Sequence, residues 1–408
     1  MYPNKKGGAY CRRKKPFLEA FLQRIPPFRT LDALRGFAAL WVVMDHSCDR
    51  FLAGDNLRFA SQPLYAFSTK GQLGVLIFFV ISGYCITGAA HGALYSGKTL
   101  GRYFFERGRR IFPPYWIALA AGLAAQLAIS LAESHHWIAK VNHVMPIETS
   151  PVYWLANLTL TQYEWGTGFA NIVFWSLCYE IAFYVVIGVC LFAATRVAAS
   201  RNMAAGQLTL ILGLAGFTFA SLLMLTVFSA RIFPFSMWHL FAAGGLLFYL
   251  LESNPQTVAG YSPRLRWTLN GIAFITVALC VVFIVLRKFG QGDSGHFTSD
   301  IQTACCLIFC LFLALIRRFD SAIEKSMWIR PFVWLGACSY SLYLIHPVVL
   351  PFIDVTARKI GFNGSRYWVA FLIQVAIAVM VGRLFYYIVE RHFVSSRQIK
   401  RLTEEHVA

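Results

Sequence analysis

The feature that most restricts this chain is the recurrence of apolar blocks about twenty residues long. Ten are read, near residues 31–51, 71–91, 111–131, 171–195, 206–229, 232–251, 267–287, 299–316, 331–353 and 367–389. A helix rises about 1.5 Å per residue, so such a block covers the ~30 Å hydrocarbon thickness of a bilayer. No water is available there for exposed backbone groups, and a helix satisfies them internally. The expectation is an all-α, polytopic membrane helical bundle of about ten transmembrane helices. It occupies residues 31–390, between a basic segment 1–30 and a tail 391–408. Only Ser229-Ala230-Arg231 separate the fifth and sixth blocks, so a merged or re-entrant pair stays open there. No internal repeat is visible.

Composition supports this class and removes others. Only 14% of residues are charged and 57% are hydrophobic, whereas a soluble domain carries about 25% charged residues. A disordered chain, a secreted disulfide scaffold and an ordinary soluble enzyme are excluded. The 37 Lys and Arg against 19 Asp and Glu give a net charge of +18. With the amino terminus in the cytoplasm, 25 of the 37 cations fall on the inner side, the bias that orients membrane proteins. Both termini are then cytoplasmic, and the excess charge faces anionic headgroups, with no nucleic acid implied. Of the 10 Cys, eight lie inside apolar runs and none has zinc-type spacing, so they read as small apolar residues. No metal is implied: His135, His136 and His143 share one loop without acidic or Cys partners. The first thirty residues are basic and broken by Pro16, Pro26 and Pro27, unlike a cleavable signal.

The longest outer connection, about 132–170, carries Trp137, Tyr153, Trp154, Tyr163 and Trp165. It reads either as an interfacial anchor or as a lid folded back over the bundle. Two glycosylation sequons, at Asn157 and Asn363, fall on the outer side.

Ionisable groups inside a span are costly, and they line a cavity or pair with one another. Arg35 and His46 are eleven residues apart on the first block. They therefore share a helical face with ~16 Å between them along the axis. Arg35 falls near the cytoplasmic mouth and His46 in the outer half. Glu180, in Trp175-Ser-Leu-Cys-Tyr-Glu180, enters from outside to a depth comparable to His46. It could fix a His tautomer, bind a sugar hydroxyl or act as a base; a structural partner for a buried cation is the plainer alternative. Tyr343 and His346 stand at i, i+3 in the ninth block, with Pro347 placed to kink the helix beyond them. At the inner mouth Arg107 and Arg110, also at i, i+3, suit a phosphorylated cofactor or serve only topology. Gln72 and Ser82 are further polar positions in the small-residue second block.

Taken in order, these segments resemble the acyltransferase family 3 of integral-membrane acyltransferases, which includes bacterial O-acetylases of surface polysaccharides. Arg, ten residues, then His matches Arg35 and His46; a Gly-rich aromatic second helix matches Gly74 to Tyr84. Arg-x-x-Arg-Ile-x-Pro matches Arg107 to Pro113, and Trp-Ser-Leu-x-x-Glu matches Trp175 to Glu180. Ser-Tyr-x-x-Tyr-Leu-x-His matches Ser339 to His346. The similarity covers roughly residues 28–390. The family usually continues the fourth element with a second acid and Gln, where this chain has Ile181 and Ala182. Many relatives append an extracytoplasmic esterase-like domain, and none is expected here.

The resemblance implies transfer of an acyl group, most simply acetyl, from cytoplasmic acetyl-CoA or another acyl-CoA to a hydroxyl of an extracytoplasmic carbohydrate. The setting is a multi-pass protein of the bacterial inner membrane. Its implied catalytic set is His46, Glu180, Tyr343 and His346, with Arg35, Arg107, Arg110, Ser82 and Trp175 on the donor side. Tyr343 or Ser82 would donate to the oxyanion, and His46 would act as base or carry the acyl group itself. The competing class is a secondary transporter of a small anionic solute. Partners are the acyl-CoA, the glycan acceptor and the lipid bilayer; the oligomeric state, a homo-oligomer included, is open.

Overall fold

The computed structural model describes residues 28–51, 62–138, 148–226, 232–252, 263–289, 299–361 and 367–394. Every regular element among them is helical. In chain order they are α1 (Thr30–Phe51), α2 (Pro63–Ser68), α3 (Gln72–Ser96), α4 (Leu100–Ser134) and α5 (Pro151–Thr159). Next come α6 (Gln162–Trp165), α7 (Phe174–Ser200), α8 (Met203–Thr226), α9 (Phe235–Glu252) and α10 (Pro263–Phe289). The last are α11 (Ser299–Ile316), α12 (Asp320–Glu324), α13 (Arg330–Ala337), α14 (Ser339–Lys359) and α15 (Tyr367–Ile388).

Among the described residues nine helices are long and apolar enough to cross a membrane: α3, α4, α7, α8, α9, α10, α11, α14 and α15. The chain is an all-α polytopic membrane bundle, with one correction to the blocks read from sequence. The first block forms a helix of 22 residues, about 33 Å long, but it is not one of the nine. Asp32, Arg35, Asp45 and His46 interrupt its apolar run. The ninth block is not one helix: it breaks at Cys338 into α13 and α14. The fifth and sixth blocks form two helices, α8 and α9.

The described residues divide into two compact units: Phe28, 79–104 and 183–320, and then 29–78, 105–182 and 321–394. In the first, α3 meets α9 backbone to backbone. A Cβ built on Gly83 would lie 1.8 Å from the Phe241 carbonyl oxygen, and one on Gly244 1.9 Å from that of Val80. Small residues permit that approach, the main source of helix affinity where no hydrophobic effect operates. Phe79, Phe183 and Trp238 close around Phe241 and one another at ring separations of 4.3 to 5.0 Å. At one end the buried Glu252 accepts from the Tyr84 hydroxyl (2.8 Å) and from Arg317 (3.2 Å).

The second unit is built the same way around α1 and α13. A Cβ on Gly36 would sit 2.0 Å from the Phe332 oxygen, and one on Gly336 1.9 Å from the Asp32 oxygen. Ala39, Val43, Leu335, Leu342, Leu350 and Ala378 form its buried core, drawn from α1, α13, α14 and α15. Arg383, the charged residue of α15, is held by aromatic side chains. Its guanidinium lies 4.5 Å from the Trp334 ring and donates to the Trp334 carbonyl (3.2 Å) and the Tyr387 hydroxyl (2.9 Å).

Candidate active site

Residues 148–171 fold back onto α4 within the second unit. The hub is Asn157, wholly buried. Its amide donates to the carbonyls of Tyr153 (2.9 Å) and Gly168 (3.1 Å). Its oxygen accepts from Gln162 Nε2 and the Ala170 N–H, both at 2.9 Å. The Tyr115 hydroxyl and the Trp116 indole of α4 donate to the carbonyls of Asn157 and Leu158, and Gln126 donates to that of Ala170. The Asn157 sequon is therefore corrected: an amide with four partners in the interior is no glycan acceptor. The Asn363 sequon lies outside the described residues. The fold-back also fixes the start of α7, where Tyr163 meets Tyr179 at 5.2 Å and Cys178 donates to Gln162 Oε1 at 3.0 Å.

That start of α7 delivers Trp175, Ser176 and Glu180 to the same unit as His46 and α14. The chemistry-bearing contact is between two histidines 300 residues apart. His46 Nδ1 lies 2.9 Å from His346 Nε2, with the rings 5.1 Å apart and inclined by 25°. On its other side His346 Nδ1 lies 2.9 Å from the Leu342 carbonyl oxygen one turn earlier. A carbonyl only accepts, so His346 Nδ1 carries a proton; in the neutral ring its Nε2 is then an acceptor. His46 must donate to it from Nδ1, and the basic lone pair of neutral His46 is placed on Nε2. The hydrogen bonds thus choose one tautomer for both rings. His346 is fully buried and His46 half-buried. α14 continues through Pro347 and Pro351 to Lys359.

One turn before His346, the Tyr343 hydroxyl lies 3.0 Å from the Val173 carbonyl and 2.7 Å from Ser176 Oγ. Donation by Tyr343 to an oxyanion would give up one of those bonds. Glu180 follows Ser176 by one turn on α7. Trp175 meets Tyr179 edge-on at 6.0 Å. Ser82 belongs to the first unit, and Gln72 is exposed at the head of α3.

The arginines gather at the other end of α14. Arg35 is largely enclosed, its side chain 19% exposed, and Arg107 and Arg110 are half-buried. The Tyr340 hydroxyl donates to the Ile111 carbonyl at 2.9 Å, bringing the Arg110 stretch of α4 beside the first turn of α14. Sequence reading missed Glu390, which is buried there and accepts at Oε2 from the Ser341 N–H (3.0 Å) and hydroxyl (2.5 Å). Its position one residue past the last apolar run, followed by Arg391 and His392, looks like an ordinary interfacial end. Arg107, Arg110 and Arg35 thus mark one level of the second unit. The histidine pair marks another, about 16 Å farther along α1.

The chain is an all-helical membrane bundle with a hydrogen-bonded histidine pair inside its second unit. The chain belongs to the acyltransferase 3 family: a profile described as an acyltransferase domain matches residues 28–387. It is similar to YrhL of Bacillus subtilis (strain 168), provisionally named a peptidoglycan O-acetyltransferase. The two are 23% identical over 376 residues, covering 88% of this chain and 54% of that one. A Staphylococcus aureus (strain COL) protein provisionally named an O-acetyltransferase is 24% identical over 386 residues, covering 89% and 56%. The chain therefore spans about half the length of the curated relatives it matches. No solved structure matches it.

Proposed function

We propose that the chain is a membrane O-acetyltransferase that moves acetyl from cytoplasmic acetyl-CoA to a hydroxyl of an extracytoplasmic glycan. Family membership and the relatives' names support the reaction class. The choice of a carbohydrate acceptor draws on the name of the Bacillus relative. The bias of cations toward one side supports entry of the phosphorylated donor from the cytoplasm of a bacterial inner membrane. Arg35, Arg107 and Arg110 bind its phosphates as guanidinium forks, with the thioester reaching toward His46.

The single observation that carries the chemistry is the chain from His46 through His346 to the Leu342 carbonyl. With its lone pair on Nε2, His46 removes the proton of the acceptor hydroxyl while that oxygen attacks the thioester carbonyl. The tetrahedral intermediate then expels CoA thiolate as the C–S bond breaks, and the His46 imidazolium returns the proton to sulfur. While His46 is charged, its Nδ1–H bond to His346 becomes charge-assisted and stronger. The relay therefore favours the transition state over the ground state. Tyr343, tied to Ser176 and Val173, holds α14 against α7, and Glu180 is assigned to the acceptor or the oxyanion. Trp175 is assigned to the donor's passage. A carrier of small anions would use the arginines but gives the tautomer-locked pair no task.

The test is acetyl-CoA turnover by the purified protein with glycan fragments, followed as CoA release and acetylated product. His46→Ala should abolish both while the protein still inserts and melts normally. Product at near wild-type rate from matched His46→Ala protein would end the proposal.

A further inference from the structure

The proton relay makes no use of α6, the one-turn helix Gln162–Trp165. Beneath it Gln162 is wholly buried. Its Nε2 donates to Asn157 Oδ1 at 2.9 Å, and its Oε1 accepts from Cys178 at 3.0 Å. Its carbonyl oxygen accepts from the N–H groups of Gly166 and Thr167, with Gly166 in the left-handed region at φ 61°. The turn is thus fixed through both its side chain and its backbone. It presents Tyr163, Glu164 and Trp165 outward, Tyr163 38% and Trp165 55% exposed. Behind them the rings continue inward: Phe169 meets Tyr163 at 5.4 Å, and Tyr163 meets the buried Tyr179 at 5.2 Å. Tyr179 precedes Glu180 and lies nearly one turn after Ser176, whose hydroxyl is 2.7 Å from that of Tyr343. All of these residues belong to the second unit, in the connection that the cation bias assigns to the outer side.

Exposed Tyr and Trp are the usual mark of an interfacial anchor, but two observations point elsewhere. An anchor tolerates loosely held rings, whereas this turn is pinned from beneath by a buried amide. A carboxylate between the two rings finds no donor among acyl chains, and it repels anionic headgroups. A pyranose meets both demands, with a C–H face for the rings and hydroxyl donors for the carboxylate. We propose that Tyr163, Glu164 and Trp165 form an acceptor subsite that takes an uncharged pyranose of the glycan and leads it along Tyr179 toward α7. This rests on the reading of the chain as a glycan O-acetyltransferase. Glu164 sets the class of sugar: a uronic acid brings a like charge to the same turn and is disfavoured.

The experiment is calorimetric binding to the full-length, detergent-purified protein, with chitotetraose as the uncharged probe and tetragalacturonate as the acidic one. Wild type should bind the first and discriminate against the second. Trp165 is more than half exposed, so its ring can be removed without opening the core beneath α6. Trp165→Ala should weaken chitotetraose binding on the order of tenfold and raise the acceptor KM in step, while KM for acetyl-CoA holds. Trp165→Phe, which keeps a ring, should recover most of the loss. Glu164→Gln should admit tetragalacturonate. Unchanged chitotetraose affinity in Trp165→Ala, with CoA release intact, would make the turn a membrane anchor and leave the acetyltransferase reading standing. A Glu164→Gln protein that still excludes the acidic tetramer would overturn the assignment of sugar class. Wild-type protein that binds chitotetraose through Trp165 yet releases no CoA with any glycan would end the acetyltransferase reading and keep the sugar subsite.

Discussion

Replacing His346 tests the relay most directly, because its two hydrogen bonds set the size of the expected effect. In the resting state the His46 bond to His346 is a neutral pair at 2.9 Å, worth about 0.5–1.5 kcal/mol net. When His46 becomes imidazolium the same bond is charge-assisted, worth about 1.5–3 kcal/mol. His346→Ala removes the neutral bond from the ground state and the charge-assisted one from the transition state, so the barrier rises by their difference, about 1–1.5 kcal/mol. At about 1.4 kcal/mol per decade, that is roughly a 5- to 12-fold fall in kcat. KM for acetyl-CoA should hold, because the arginine end of α14 is several turns away. The residue is fully buried, so the variant also leaves a cavity, and rates must be compared on protein matched by melting curve. His346→Gln separates the two effects: its amide oxygen can accept the His46 Nδ1–H, and activity should recover to within about threefold of wild type. The assay is initial CoA release at saturating acceptor. A folded His346→Ala protein within twofold of wild type would refute the relay. A Gln variant as slow as the Ala variant, with the loss entirely in KM, would do the same.

Two further outcomes follow from packing. Gly336→Ala places a methyl 1.9 Å from the Asp32 carbonyl oxygen, a backbone atom that cannot step aside; the α1–α13 crossing should open, with a loss near the upper end of the ~1–3 kcal/mol typical of overpacking. Gly101→Ala, which meets open space, is the control, and equal melting temperatures for the two would contradict the close crossing. Asn157→Asp keeps the shape but turns the two donations to Tyr153 and Gly168 into opposed acceptors. At ~1–3 kcal/mol for each group left unsatisfied, limited proteolysis should then cut within 148–171 well before the wild type is cut. Equal cleavage rates would show that the fold-back does not depend on this amide.

The limits of sequence reading lie at particular residues. Arg35 and His46 could be placed on one face of one helix, since helical spacing is a local property. Tyr343 and His346 could be paired on another for the same reason. That the two histidines meet each other could not, since they are 300 residues apart and their geometry depends on the packed core of the second unit. Cys338 sits inside an apolar run that length alone reads as continuous, and the backbone crossing at Gly36 and Gly336 accompanies its break. Asn157 satisfies a surface motif in sequence and a buried hub in the fold, because a sequon carries no information about burial. Glu390 had no signal beyond its position at the end of a span.

What the chain's order of residues determined alone was its solvent: a stretch of apolar side chains about 30 Å long partitions into hydrocarbon wherever its neighbours lie, because that free energy sums residue by residue. It also marked which polar groups interrupt the apolar blocks. Which of them touch and which nitrogen keeps the proton were decided only by the packed helices. Hydrogen bonds and charge pairs are made over about 3 Å, a distance no spacing along one strand of sequence can specify.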